Sequence, residues 1–310
     1  MRQSRDSALG WLSGAALALS VEAGCTPAAV QRLAAANSAS LPSASEQCVQ
    51  GVCAIFVADG SDFRLSLENR NPLPVTATVK APVCENLEPS VPLPTSLTLQ
   101  SHQAVEAVFF KRIDATRPAS VQTVRSSYFG SVETSPDAEV RYAMPFGGGE
   151  KRKLSQGVNG GISHSGIERY AFDFVMPEGT PVLAARDGIV VSVKDGFTVG
   201  AFDPVLKDKV NSVCVAQKDG TIAHYTHLSP GIAVRVGQHV AKDQRLGLSG
   251  NTGYTQGPHL HFHVGKVESD MEGYTIPILF EDGTPGGTVP EQGLWYDPSP
   301  EVGPRDGNGE

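Results

Sequence analysis

From about Gln50 to Arg141 apolar and polar residues alternate in short runs. Cys53-Ala54-Ile55-Phe56-Val57, Phe63-Arg64-Leu65-Ser66-Leu67, Val75-Thr76-Ala77-Thr78-Val79 and Ala107-Val108-Phe109-Phe110 are examples. Side chains along a strand point alternately to opposite faces, so each run predicts a strand with one face toward a core. Turn clusters such as Asn69-Arg70-Asn71-Pro72-Leu73-Pro74 separate the runs, and strands at this spacing predict a β-sandwich. No His, Asp or Cys cluster there suggests catalysis, and the lone His102 reads as a surface residue.

The same alternation continues beyond Tyr142-Ala143-Met144-Pro145-Phe146-Gly147-Gly148-Gly149, the expected join to a second β-rich domain. Its densest stretch is Gly257-Pro258-His259-Leu260-His261-Phe262-His263-Val264. Extended, it places Leu260, Phe262 and Val264 on a core face and three imidazoles on the other. A single such histidine is usually a solvated polar residue. Three at period two, backed by an apolar stripe, favour metal binding or acid/base chemistry. Upstream, Tyr170, Phe172 and Phe174 are expected to face a core with Asp173 pointing out, nine residues after His164. In Ile222-Ala223-His224-Tyr225-Thr226-His227-Leu228, alternation puts Tyr225 and His227 on one face and His224 on the other. Asp187-Gly188 reads as a two-residue hairpin turn. The polar segment from Lys194 to Lys209, carrying Phe197, Phe202 and Leu206, reads as a functional rim. Leu246-Gly247-Leu248-Ser249-Gly250-Asn251-Thr252-Gly253 lacks the Gly-Lys-Ser/Thr ending of a phosphate loop and reads as a tight turn. Tyr274 to Phe280 is expected to add an edge strand, and residues from about Ser299 to be disordered.

The N-terminus departs from this pattern. Arg2 and Arg5 precede an apolar run from Ala8 to Val21, and Val21-Glu22-Ala23 gives a small-x-small cleavage site, the form of an export signal. The run is too short for a stable bilayer span. Residues 26–47 are Ala/Ser-rich without an apolar face and read as a linker or a frayed helix. The expected partition is a signal peptide at 1–23, a linker at 24–49, a sandwich-like accessory domain at 50–141, the second β domain at 142–285 and a tail at 286–310.

Composition narrows the function. With 310 residues and a net charge of −8, the chain lacks the basic excess that nucleic acid or an anionic membrane requires. Gly (33) and Pro (22) are plentiful, which suits many turns and short strands better than long helices. Of the five cysteines, Cys48, Cys53 and Cys84 lie close together, which in an oxidising compartment predicts at least one disulfide. Cys214 reads as a small core residue, and Cys25 opens the possibility of lipidation, the one route by which a membrane becomes a partner. No Cys-x-x-Cys occurs, so a thiolate zinc site is not expected.

Three stretches stand in one order: Ser163-His164-Ser165-Gly166 with Tyr170-Ala171-Phe172-Asp173-Phe174, then Tyr225-Thr226-His227-Leu228, then Gly257-Pro258-His259-Leu260-His261-Phe262. This resembles the lysostaphin/LytM-type zinc metallopeptidases over residues 142–285, including Gly179-Thr180-Pro181-Val182-Leu183-Ala184-Ala185 and Val236 to Gln244. Two departures stand out. Asp243 occupies a position where the family usually has Gly, and the shortest family form places the Asp four residues after the first His instead of nine. The resemblance implies an antiparallel β-sheet peptidase domain, Zn²⁺ held by His164, Asp173 and His261, and His227 with His259 as the catalytic pair. It implies an endopeptidase acting on peptide cross-links of peptidoglycan, and the export signal at the N-terminus makes it periplasmic or secreted. Two imidazoles and a carboxylate leave one tetrahedral position open, the pattern of a catalytic zinc. His263 reads as solvated in preference to a support behind a metal ligand, and Tyr225 as either a cleft-wall hydroxyl or core. The alternatives are a non-catalytic relative that activates cell-wall amidases and a secreted protease of general proteins.

Overall fold

The structure, a computed structural model, describes residues 33–34, 44–49, 51–267 and 273–299. The expected signal peptide, Cys25, most of the linker and the end of the tail lie outside the described residues. Among the described residues the chain is almost entirely β, with two single 3-10 turns, Gly166–Glu168 and Pro204–Leu206.

The first unit is two antiparallel sheets. One runs in the order Ala44–Val49, Val52–Asp59, Asp62–Asn69, Ala104–Arg112, Leu87–Pro89. The other runs Leu33–Ala34, Ser120–Phe129, Val75–Glu85, Thr95–Leu99. Period-two burial is clear in Asp62–Asn69, where Phe63, Leu65, Leu67 and Asn69 are buried. Leu65, Leu67, Val79, Leu99 and Phe110 meet between the sheets in one core. The expected linker boundary at residue 49 does not hold. Ala44–Val49 pairs with Val52–Asp59, and the register puts Cys48 opposite Cys53, where they form a disulfide. The Ala/Ser composition hid a short strand whose hairpin turns through Gly51 at φ +74°.

The second unit is built on one large antiparallel sheet, ordered His239–Val240, Gly188–Lys194, Ser212–Ala216, Ile222–Thr226, His259–Val267, Phe172–Val175, Arg152–Gln156, Trp295–Tyr296. One face carries its core, in which Phe172, Phe174, Tyr225, Leu260, Phe262 and Val264 are fully buried, as alternation requires. On the opposite face Val191, Cys214, Ala216 and Ile222 join the core of the first unit. All five residues of Ser212–Ala216 are therefore buried, because both faces of that strand are covered. Cys214 does lie in a core, but it is also disulfide-bonded. Further along the same face the side chains become polar, among them Asp173, His224, His259, His261 and His263. That half of the face carries the site.

Three expectations are corrected here. Asp187-Gly188 does not close a hairpin: Pro181–Leu183 pairs with Arg245–Leu248, while Gly188–Lys194 pairs with Ser212–Ala216. Gly188 is needed for close approach instead, since a Cβ there would stand 2.4 Å from the Ala216 carbonyl oxygen. The segment from Tyr274 to Phe280 is no single edge strand. Gly273–Thr275 pairs with His259–Val267, then Pro277 interrupts, and Leu279–Phe280 pairs in parallel with Arg141–Tyr142. The tail contributes Trp295–Tyr296 at the edge of the large sheet.

Candidate metal centre and catalytic cleft

Sheet register brings the site together. Asp173 and Thr226 both lie directly opposite His261, Val175 opposite His259, and His224 opposite His263. Asp173 Oδ1 is 2.9 Å from His261 Nδ1 and 3.2 Å from His164 Nε2, and 3.8 Å from His259 Nε2. Ligating atoms of His164, Asp173 and His261 all lie within 4.8 Å of one another, so these three could hold a single ion. His227 packs beside them, its ring centroid 4.5 Å from that of His259 and 6.2 Å from that of His261. All five residues singled out in the sequence thus share one cluster.

His227 reaches it by an irregularity that strict alternation misses. The strand ends at Thr226, and His227 adopts φ +66°. Its ring therefore leaves the side of Tyr225 and turns to the histidine face. Tyr225 stays in the core, where its hydroxyl accepts a hydrogen bond from the Ala185 N–H at 2.8 Å, so it is no cleft wall. His224 is on the site face, stacked on His263 at 4.2 Å between centroids.

Backbone carbonyls set the tautomers of three rings. His227 Nδ1 donates to Thr252 O (2.7 Å), His259 Nδ1 to Gly257 O (2.8 Å) and His164 Nδ1 to Gly157 O (3.0 Å). A carbonyl only accepts, so each Nδ1 carries the proton and each Nε2 presents a lone pair to the cluster. For His164 this is decisive. Its Nε2 is completely buried, has no hydrogen-bond partner and faces a carboxylate oxygen. A lone pair against a carboxylate is repulsive unless a cation lies between them, so the donor set fits a divalent metal.

Burial and charge tune the groups in opposite directions. Burial raises the Asp173 carboxyl, but the adjoining rings of His164 and His261 outweigh it and hold the group well below the usual carboxylate range. Burial lowers His261, yet its bond to Asp173 and the Glu168 carboxylate beside it dominate and lift it to about 10. His227 has no such anion: burial, reinforced by His259, lowers it to about 3, and burial also lowers His259. The two outer rings are thus neutral at neutral pH.

The cluster floors a cleft of about 600 Å³ whose walls include Gln156, Ile162, Val175, Phe202, Lys207, Tyr254 and Pro258. Phe202 and Lys207 come from the 194–209 segment, the expected rim, and Phe202 stacks on Tyr254 at 4.7 Å. Gln156 donates to Asp173 Oδ2 at 2.8 Å and steadies the carboxylate. Two readings change. His263 is not solvated; it is buried, and burial lowers it to about 4. Glu168, which sequence reasoning passed over, brings its Oε2 3.3 Å from His263 Nδ1 and 3.5 Å from His261 Nε2.

Residues 168–272 match Peptidase family M23. Over those residues the second unit resembles an M23 peptidase. The match takes in Asp173, His227, His259 and His261 and begins four residues after His164. Over 92 residues the chain is 41% identical to the peptidoglycan DD-endopeptidase ShyA of Vibrio cholerae, covering 30% of this chain and 19% of that protein. It is 35% identical over 138 residues to lysostaphin of Staphylococcus staphylolyticus (43% and 25%). It is 38% identical over 107 residues to the glycyl-glycine endopeptidase ALE-1 of Staphylococcus capitis (34% and 25%). The chain thus spans a quarter or less of the length of these relatives.

Proposed function

We propose that the protein is an exported, zinc-dependent metalloendopeptidase that hydrolyses peptide cross-links of bacterial peptidoglycan. The observation that carries the reading is the buried, unpartnered Nε2 of His164 facing Asp173 and His261, beside two neutral imidazoles whose tautomers are set. The names of the relatives support the substrate class, and they include both a DD-endopeptidase and a glycyl-glycine endopeptidase. The Ala8–Val21 run and the Cys48–Cys53 disulfide support export.

His164, Asp173 and His261 would hold the zinc, which when bound supplies a positive charge that polarises a scissile carbonyl and acidifies water. The protein's own groups do the rest. With Nδ1 tied to Thr252 O, His227 presents Nε2 as a proton acceptor at the cluster. His259, tied to Gly257 O, presents its Nε2 on the same side. One ring takes the proton of the attacking water. The other, once protonated, bonds the developing oxyanion or returns a proton to the leaving amine. The cleft walls orient the peptide, with Phe202 and Tyr254 offering an apolar, aromatic side. The amidase-activating alternative describes relatives that have lost metal ligands, and all five side chains are present here.

The test is to incubate the zinc-loaded full chain with purified sacculi and separate the muropeptides. Loss of cross-linked dimers with matching new monomers is expected. Unchanged cross-linking would overturn the reading, and cleavage of casein at a comparable rate would replace the substrate class with general proteins.

A further inference from the structure

The five extra residues between His164 and Asp173 form a built feature. The chain there makes the 3-10 turn Gly166–Glu168, closed by the Arg169 N–H on Gly166 O at 3.4 Å and followed by the Ala171 N–H on Glu168 O at 3.0 Å. Thr275, on the neighbouring strand, pins it from outside: its hydroxyl donates to Ile167 O (2.7 Å) and accepts from the Tyr170 N–H (3.0 Å). The turn delivers the Glu168 carboxylate to the side of His261 opposite Asp173. The two nitrogens of His261 therefore see different carboxylates, Asp173 Oδ1 at Nδ1 (2.9 Å) and Glu168 Oε2 at Nε2 (3.5 Å).

We infer that Glu168 is a positioning residue for the metal, holding the His261 ring through its Nε2–H so that Nδ1 faces the ion; the inference rests on the zinc reading above. Hydrogen-bond accounting supports it. Glu168 Oε2 is buried and has no well-directed partner, and the ring nitrogens near it are His261 Nε2 and His263 Nδ1 (3.3 Å). A direct bond from His261 Nε2–H to His263 Nδ1, which stand 3.1 Å apart, would leave that carboxylate oxygen buried and unsatisfied. Both rings donating to Oε2 satisfies all three groups and leaves the lone pair of His261 on Nδ1, the side of His164 and Asp173. A ligand histidine whose other nitrogen donates to a carboxylate has fixed orientation and greater basicity. The second possible triad, Glu168, His261 and His263, then acts as a hydrogen-bonded support, since an imidazole nitrogen that keeps its proton cannot ligate a cation.

Zinc affinity of the full-length chain, measured by chelator competition, tests this on wild type, Glu168→Ala and Glu168→Gln. Glu168→Ala is expected to bind zinc about 10- to 100-fold more weakly, with Glu168→Gln, which retains an acceptor oxygen, falling between. In imidazole nitrogen NMR of the zinc-loaded proteins, a slowly exchanging His261 Nε2–H is expected in wild type and Glu168→Gln and lost in Glu168→Ala. A change in folding stability alone would not move that resonance. Unchanged zinc affinity and an unchanged resonance in Glu168→Ala would overturn the assignment while leaving the zinc reading intact. Two zinc ions per wild-type chain, with one lost on Glu168→Ala, would overturn it in favour of a second cation site. Absence of zinc binding by wild type would instead bring down the zinc reading and this inference with it.

Discussion

Replacing Asp173 with Asn changes one atom type at the centre of the cluster while conserving its volume. Gln156 Nε2 donates to Oδ2 at 2.8 Å and requires an acceptor there. The Asn oxygen will take that place and turn the amide NH2 toward His261 Nδ1 and His164 Nε2, which now face Oδ1 at 2.9 and 3.2 Å. A cation then meets a donor where it had an anion. Removing one charged partner from a buried ionic arrangement costs about 3–5 kcal/mol. At about 1.4 kcal/mol per tenfold, that is a loss of roughly two to three and a half orders of magnitude in metal affinity. The assay is zinc titration of the metal-stripped full chain, with circular dichroism as a control. The flanking Phe172 and Phe174 remain in the core, so the variant should keep its β-sheet signature. Asp173→Asn binding zinc as tightly as wild type would refute the reasoning.

Four further outcomes are expected. His259→Ala should retain zinc, because its Nε2 stands 3.8 Å from Asp173 outside the close triad, while turnover on cross-linked muropeptides falls by about 10²–10⁴; parallel loss of both would move His259 into the ligand set. His261, lifted to about 10, is protonated at pH 7 in the metal-free protein, and the Asp173 and Glu168 carboxylates are held below their usual range. The sign follows: stabilisation of the metal-free fold by the charged His261 ring is complete below its unfolded value of about 6.5 and is lost as pH rises through about 10. Zinc must displace that proton, so calorimetry in buffers of different ionisation enthalpy should show close to one proton released per ion, and affinity should rise with pH. Phe262→Ala empties a fully buried site against Tyr225 and Phe280 and should lower unfolding free energy by about 3–5 kcal/mol in urea titration. Asp243→Gly should raise stability by about 1 kcal/mol, because Asp243 sits at φ +65° with a buried, unpartnered Oδ1; a lower melting midpoint would count against this.

Period-two patterns were legible wherever one face of a strand meets a core. Leu260, Phe262 and Val264 lie inward as their spacing predicts, and His259, His261 and Asp173 follow on the other face. What escaped alternation was set by contacts distant in sequence or by single backbone angles. His227 turns to the site through one residue of positive φ, a conformation its flanking residues do not encode. Asp187-Gly188 carries hairpin chemistry, yet Gly188 answers to the Ala216 backbone. His263 alternates like a solvated residue, but His224 and Glu168 cover it from other parts of the chain. Glu168 could have been found, because the nine-residue interval from His164 to Asp173 marks an inserted turn and Glu168 is its only acidic residue.

The central claim is that one cation sits among His164, Asp173 and His261. Anomalous diffraction at the zinc edge, from crystals of the full chain grown with zinc, tests it most directly. A single strong peak bounded by those three side chains, with His227 and His259 beside it, is the expected result. A peak between Glu168 and His263, or none in the cluster, would contradict it.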